Sequence, residues 1–197
     1  IMEPGAVANF VREQGMARFQ TLKVKVNQES GYDLLRELTR ALPGRPLIID
    51  GNEAWPDADS LRQSWEQIQR LPGLNVRLLE QPLPATCADD YRSIKGQLGC
   101  SVFADESVTD GADFADIAQQ FEGVNMKLMK AGGYLNGLRI LRETRAHGLQ
   151  TMLGCMVETT LGISSALHVS ALADVCDLDG FLIVQDEPFG LVREENG

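Results

Sequence analysis

Short apolar runs alternate along this chain with longer stretches whose apolar positions recur every three or four residues. The runs read as strands over 22–26, 46–50, 76–80, 101–105, 124–127, 150–153 and 181–184. Helical spacing fills the intervals, over 4–14, 32–42, 88–98, 113–121, 135–146 and 160–172, with one more helix capped by Asp59 or Ser60 and ended by Pro72-Gly73. The strand at Leu22-Lys23-Val24-Lys25-Val26 is the odd one. A period of two sends both ammonium groups to one face and Leu22, Val24 and Val26 to the other. An edge strand with a solvated lysine face would explain that pattern by itself.

Seven strands alternating with helices, at spacings of about 25 residues, imply a parallel α/β sheet buried on both faces. Two architectures fit: a doubly wound open sheet or a (β/α) barrel. Polar residues end many different strands, which favours the barrel, because its chemistry collects at the C-terminal rim. Gly132-Gly133 lacks the spacing of a dinucleotide fingerprint, and no Walker-type loop is present.

Composition narrows the function. The 197 residues contain 44% hydrophobic and 23% charged positions, as expected of a globular protein. A net charge of -10 with no basic stripe argues against a nucleic-acid partner, and the apolar runs are too short for a membrane span. Cys87, Cys100, Cys155 and Cys176 form no CxxC pair, and His147 and His168 are the only histidines, so a zinc cluster is not expected. Reduced thiols in a cytoplasmic protein are the simpler reading, with Cys155 a packing residue.

The strand ends carry the candidate chemistry. Asp50, Glu80 and Asp105 terminate three successive strands, with Lys23 and Lys25 before them and Lys127 after. A lone Asp at a strand end is ordinarily a turn or cap residue. Three carboxylates converging on one barrel mouth would repel, and a hard divalent cation resolves the conflict: magnesium, with manganese as the alternative. Such a cation could hold a substrate carboxylate and stabilise the enediolate left when the α-proton is removed, with a lysine as base. Lys23 beside Lys25 would favour the neutral, base form of Lys25. Two lysines facing each other across the substrate would allow inversion of the stereocentre.

These pieces resemble the barrel domain of the enolase superfamily, muconate-lactonising subgroup. The matching segments are Thr21 to Val26, Ile49-Asp50-Gly51-Asn52, Leu79-Glu80-Gln81-Pro82, Ala104-Asp105-Glu106-Ser107 and Asn125 to Gly133. The resemblance implies a (β/α)7β TIM-like barrel with Mg2+ on Asp50, Glu80 and Asp105. It implies Lys25 and Lys127 as the acid/base pair, with Lys23 tuning Lys25 and helping to hold the substrate. Lys130 would be peripheral. Gly154-Cys155-Met156-Val157-Glu158-Thr159 and Asp177-Leu178-Asp179-Gly180 resemble segments of dipeptide epimerases, in which two acids receive the substrate's α-ammonium group. Asp177 and Asp179 are therefore expected to bind substrate, with Met156 and Glu158 as further contacts; Glu158 could equally cap the helix after it.

The expected activity is magnesium-dependent epimerisation of a dipeptide at its C-terminal residue, in a homo-oligomer. N-acyl amino acid racemase, o-succinylbenzoate synthase, cycloisomerase and a non-catalytic barrel remnant are the alternatives. No segment matches the family's N-terminal α+β capping domain, nor its first barrel strand. Residues 1–197 are thus expected to be one incomplete barrel domain.

Overall fold

The computed structural model describes residues 2–195. They form two compact units, the first ending at Ser107 and the second running from Val108 to Glu195.

In the first unit, a 3-10 turn at Pro4–Ala6 leads into α1 (Val7–Glu13), and a second turn at Met16–Arg18 precedes β1 (Leu22–Lys25). There follow α2 (Gly31–Ala41), β2 (Pro46–Asp50), α3 (Ala58–Ile68), β3 (Asn75–Glu80), α4 (Ala88–Ile94) and β4 (Ser101–Ala104). The strands pair in parallel and in sequence order, β1 with β2, β2 with β3, β3 with β4. Each helix buries one stripe: Leu34, Leu35 and Leu38 of α2, and Leu61, Trp65 and Ile68 of α3. That is the three-and-four spacing of an amphipathic helix lying on a sheet. The indole of Trp65 also donates to the carbonyl of Leu98 (2.8 Å), tying α3 to the segment after α4. The register of β2 and β3 shifts by one residue, with Leu47 opposite Val76 and Ile48 opposite Leu78, so that Arg77 is skipped. This irregularity sets Glu80 level with Asp50.

In the second unit, α5 (Phe114–Gln120), β5 (Gly123–Lys127), α6 (Tyr134–Ala146), β6 (Gln150–Gly154), α7 (Thr160–Leu167) and β7 (Val175–Cys176) follow in turn. β5 pairs with β6 and β6 with β7, again in parallel. Every residue of β5 is buried, as in a strand covered on both faces.

The expected elements are found, apart from the last strand, with differences at several of their ends. The cap of α3 is Asp57, whose carboxylate accepts from the amide of Ser60 (2.8 Å). The helix predicted over 88–98 stops at Ile94, and the one over 160–172 stops at Leu167 before a 3-10 turn at Ser170–Leu172. The run Phe181-Leu182-Ile183-Val184 is not a strand: Gly180–Ile183 form a 3-10 turn, with Leu182 and Ile183 exposed. The last strand is the two-residue β7, so Asp177 and Asp179 follow a strand rather than precede one. A four-residue apolar run has no period long enough to separate strand from turn. Among the described residues no helix is long and apolar enough to cross a membrane.

Candidate active site

In the first unit the lysine strand delivers both ammonium groups to the acids of its neighbours. Lys23 Nζ lies 3.1 Å from Asp50 Oδ2 and 2.9 Å from Glu80 Oε2. Lys25 Nζ lies 3.5 Å from Asp50 Oδ2 and donates to Asn52 Oδ1 (2.6 Å). Leu22 and Val26 are buried on the other face. Lys25 is 57% exposed and Lys23 only 14%, so the edge-strand explanation fails for Lys23, whose charge is held between two buried carboxylates. A cavity of about 200 Å³ beside β1 is lined by Val7, Phe10, Leu22, Leu34 and both lysines.

Asp50, Glu80 and Asp105 are all buried, at 1%, 0% and 2% exposed. Burial pushes the Glu80 carboxyl upward; Lys23 opposes that push, while the charges of Asp50 and Asp105 add to it. Glu80 therefore feels both other acids; Lys23 counters their repulsion, and the net rise comes from burial. Among the described residues no group of three His, Cys, Asp or Glu side chains stands closely enough to hold a metal ion, and Lys23 sits between the first two acids. The donor set itself suits a hard divalent cation: buried carboxylate oxygens at successive strand ends, with more negative charge than the neighbouring ammonium neutralises.

The loops behind these acids are joined to one another. The amide of Gly51 donates to the carbonyl of Glu80 (2.8 Å), Glu53 to Gln81 (2.8 Å) and Trp55 to Pro82 (3.1 Å). A Cβ on Gly51 would lie 2.6 Å from Cα of Pro82, so no larger residue fits there. Asn52 and Gln81 had no role in the sequence reading beyond their places in quoted motifs. Asn52 holds Lys25, and Gln81 reaches Asp105 through its side chain. The signal for both was their position one or two residues after a strand-terminal acid.

In the second unit, Lys127 ends β5 and is 8% exposed. It is level with Gly154 of β6, and a Cβ there would lie 2.4 Å from Asn125 Oδ1. The glycine thus clears the space beside Asn125, the other polar side chain on the Lys127 face of β5. Lys130 is exposed in the turn that follows.

Beyond β6, Cys155 Sγ accepts from the amide of Gly180 (3.3 Å). Burial raises its thiol to about 11, and the charges of Asp177, Asp179 and Glu158 add to the rise, so these three acids act together on one half-buried sulfur. A thiol raised in this way is little ionised at neutral pH, which suits packing. Asp177 is half-buried, with its amide bonded to the carbonyl of Leu153 (2.9 Å), and Asp179 is exposed. Met156 is exposed, and its amide donates to Glu158 Oε1 (3.1 Å). Glu158 does not cap α7. That role falls to Glu187, which accepts from the amide (3.0 Å) and hydroxyl (2.7 Å) of Thr160.

Residues 6–188 match the family described as enolase C-terminal domain-like. The chain is 33% identical over 193 residues to the L-Ala-D/L-amino acid epimerase of Pedosphaera parvula, covering 96% of this chain and 55% of the relative. It is 35% identical over 187 residues to the L-Ala-D/L-Glu epimerase of Escherichia coli, covering 94% and 56%. Among solved structures, the dipeptide epimerase from Enterococcus faecalis complexed with Mg and the dipeptide L-Leu-L-Tyr superposes with a TM-score of 0.85 at 27% identity, over 95% of this chain and 55% of that one. The chain thus spans little more than half the length of the relatives it matches. The parallel α/β architecture, the strand-end acids and lysines and these similarities agree on one conclusion: the chain belongs to the enolase C-terminal domain-like family, with its α/β barrel fold.

Proposed function

We propose that the full-length protein is a magnesium-dependent dipeptide epimerase, inverting the α-carbon of the C-terminal residue by removing a proton on one face and returning one on the other. The observation that carries the reading is the meeting of Lys23 and Lys25 with the buried acids Asp50 and Glu80, in a chain similar over nearly its whole length to named epimerases. Asp50, Glu80 and Asp105 would hold the cation, which when bound supplies a Lewis acid for the substrate carboxylate and the charge that develops as the proton leaves. Lys25, held by Asn52, is one proton carrier, and Lys127 is the other. Lys23 would turn from its acid partners toward the substrate carboxylate. Asp177 and Asp179 would receive the α-ammonium group through charge-assisted hydrogen bonds, with Met156 and Glu158 beside them. The names of these relatives support the dipeptide, and the three acids whose charges act on Cys155 support a cationic ligand there.

The test is incubation of the full-length protein with magnesium and a panel of dipeptides in deuterated water. Deuterium should enter the α-carbon of the C-terminal residue and nowhere else. No incorporation across the panel would overturn the proposal. Asp177→Asn with Asp179→Asn should raise KM for dipeptides; if the double variant prefers an N-acylated amino acid instead, a racemase of such substrates is the better reading.

A further inference from the structure

Gln81 follows Glu80 directly and is completely buried. Its backbone has a φ of +35°, an unusual conformation for a residue with a side chain and more so before a proline. Such strain persists only where the surroundings hold it, and here every polar group of the residue is engaged. The amide donates to the carbonyl of Phe103 (2.9 Å), extending the β3–β4 pairing one step beyond Glu80, and the carbonyl accepts from Glu53.

The side chain spans the same gap. Its Oε1 accepts from the amides of Asp105 (2.8 Å) and Ser107 (3.1 Å). Its Nε2 faces the carbonyl of Leu83 (3.1 Å), the hydroxyl of Tyr91 (2.8 Å) and Oγ of Ser107 (2.8 Å). Two amide N–H groups on one side and a carbonyl on the other fix the orientation of the carboxamide, because a carbonyl can only accept. Tyr91 locks the donor end, accepting from the amide of Leu83 (2.9 Å) and donating to its carbonyl.

We propose that Gln81 is a positioning residue that ties the backbone of Asp105 to the end of β3, fixing where the third carboxylate stands relative to Glu80. Asp50 and Glu80 are level through strand pairing. Asp105 lies one residue past the end of β4, and there its amide is held by the Gln81 carboxamide. The inference rests on the reading of Asp50, Glu80 and Asp105 as metal ligands.

The experiment measures Mn2+ affinity, apo melting temperature and amide hydrogen exchange at Asp105 and Ser107 in the full-length protein. Gln81→Met should weaken Mn2+ binding about tenfold and speed exchange at both amides, as removal of groups that orient metal ligands ordinarily does. Tyr91→Phe, which leaves Oε1 on Asp105, should lower the melting temperature yet bind Mn2+ as the wild type does. Gln81→Asn, one methylene too short to reach both ends, should weaken binding in the same direction if Gln81→Met does not fold. Wild-type affinity in the Gln81 variants, or a loss in Tyr91→Phe that tracks the melting temperature equally, would overturn the inference. Asp105→Asn serves as the separate check: unchanged Mn2+ affinity there sinks the metal reading itself.

Discussion

Lys23 is the residue whose environment says most. Its ammonium is nearly buried between two carboxylates that are themselves wholly buried, an arrangement stable only while the charges offset one another. Removing the cation leaves two anions facing each other without water. Lys23→Met should therefore lower the stability of the metal-free protein by as much as about 3 kcal/mol, the usual scale for an orphaned buried charge. Added magnesium should restore part of the loss, read as a rise in melting temperature larger than that of the wild type. Equal shifts in the two proteins would show that the acids do not share a cation. At this scale much of the site was legible in the sequence. Asp50 and Glu80 end apolar runs and Asp105 follows one, and the period of two put Lys23 and Lys25 on one face. Gln81 was not legible as an actor, because its partners lie up to 26 residues away and a neutral amide leaves no charge pattern.

At the scale of elements, close approach rather than propensity decides several positions. Gly154 sits in the middle of the Lys127 neighbourhood, where a methyl group would overlap the Asn125 carboxamide. Gly154→Ala should force Asn125 to move and cost about 1–3 kcal/mol, the range for overpacking a tight core, measured by denaturant unfolding. A variant as stable as the wild type would mean that Asn125 yields freely. The strands were read well because their apolar runs are bounded by Pro, Gly and charged residues. The exception, 181–184, shows what such a reading cannot see: Leu182 and Ile183 are apolar but exposed, and the segment folds as a 3-10 turn. The cap of α7 was equally hidden, since Glu187 lies 27 residues beyond Thr160.

Across the whole molecule, carboxylates serve as fasteners in both units. In the first, hydrogen bonds from Ser60 lower Asp57. In the second, the amide of Thr151 lowers Asp174 despite some burial, and Glu187, pushed up by desolvation, is brought down further by Thr160, Phe189 and Gly190. A carboxyl lowered by folding adds stability above its unfolded pKa, near 4, and loses that contribution as pH falls through the folded value. The melting temperature should thus fall steeply below about pH 4. Glu187→Gln should melt below the wild type at neutral pH, and the difference should vanish in acid, where the wild-type side chain is protonated. A gap that persists at low pH would show that the charge of Glu187 is not what fastens the segment. The -10 net charge steepens the neutral-pH dependence on salt but not this difference, which compares two proteins under one condition.

The joined loops after β2 and β3 have a consequence for how this protein can vary. Gly51, Glu53 and Trp55 donate in turn to Glu80, Gln81 and Pro82, so the two loops share a single ladder whose rungs fall every second residue on one loop and every residue on the other. An insertion or deletion in either loop would put every later rung out of step with its acceptor. The two therefore behave as one inherited unit, able to change length only together, and diversification of this scaffold is channelled toward its other strand ends.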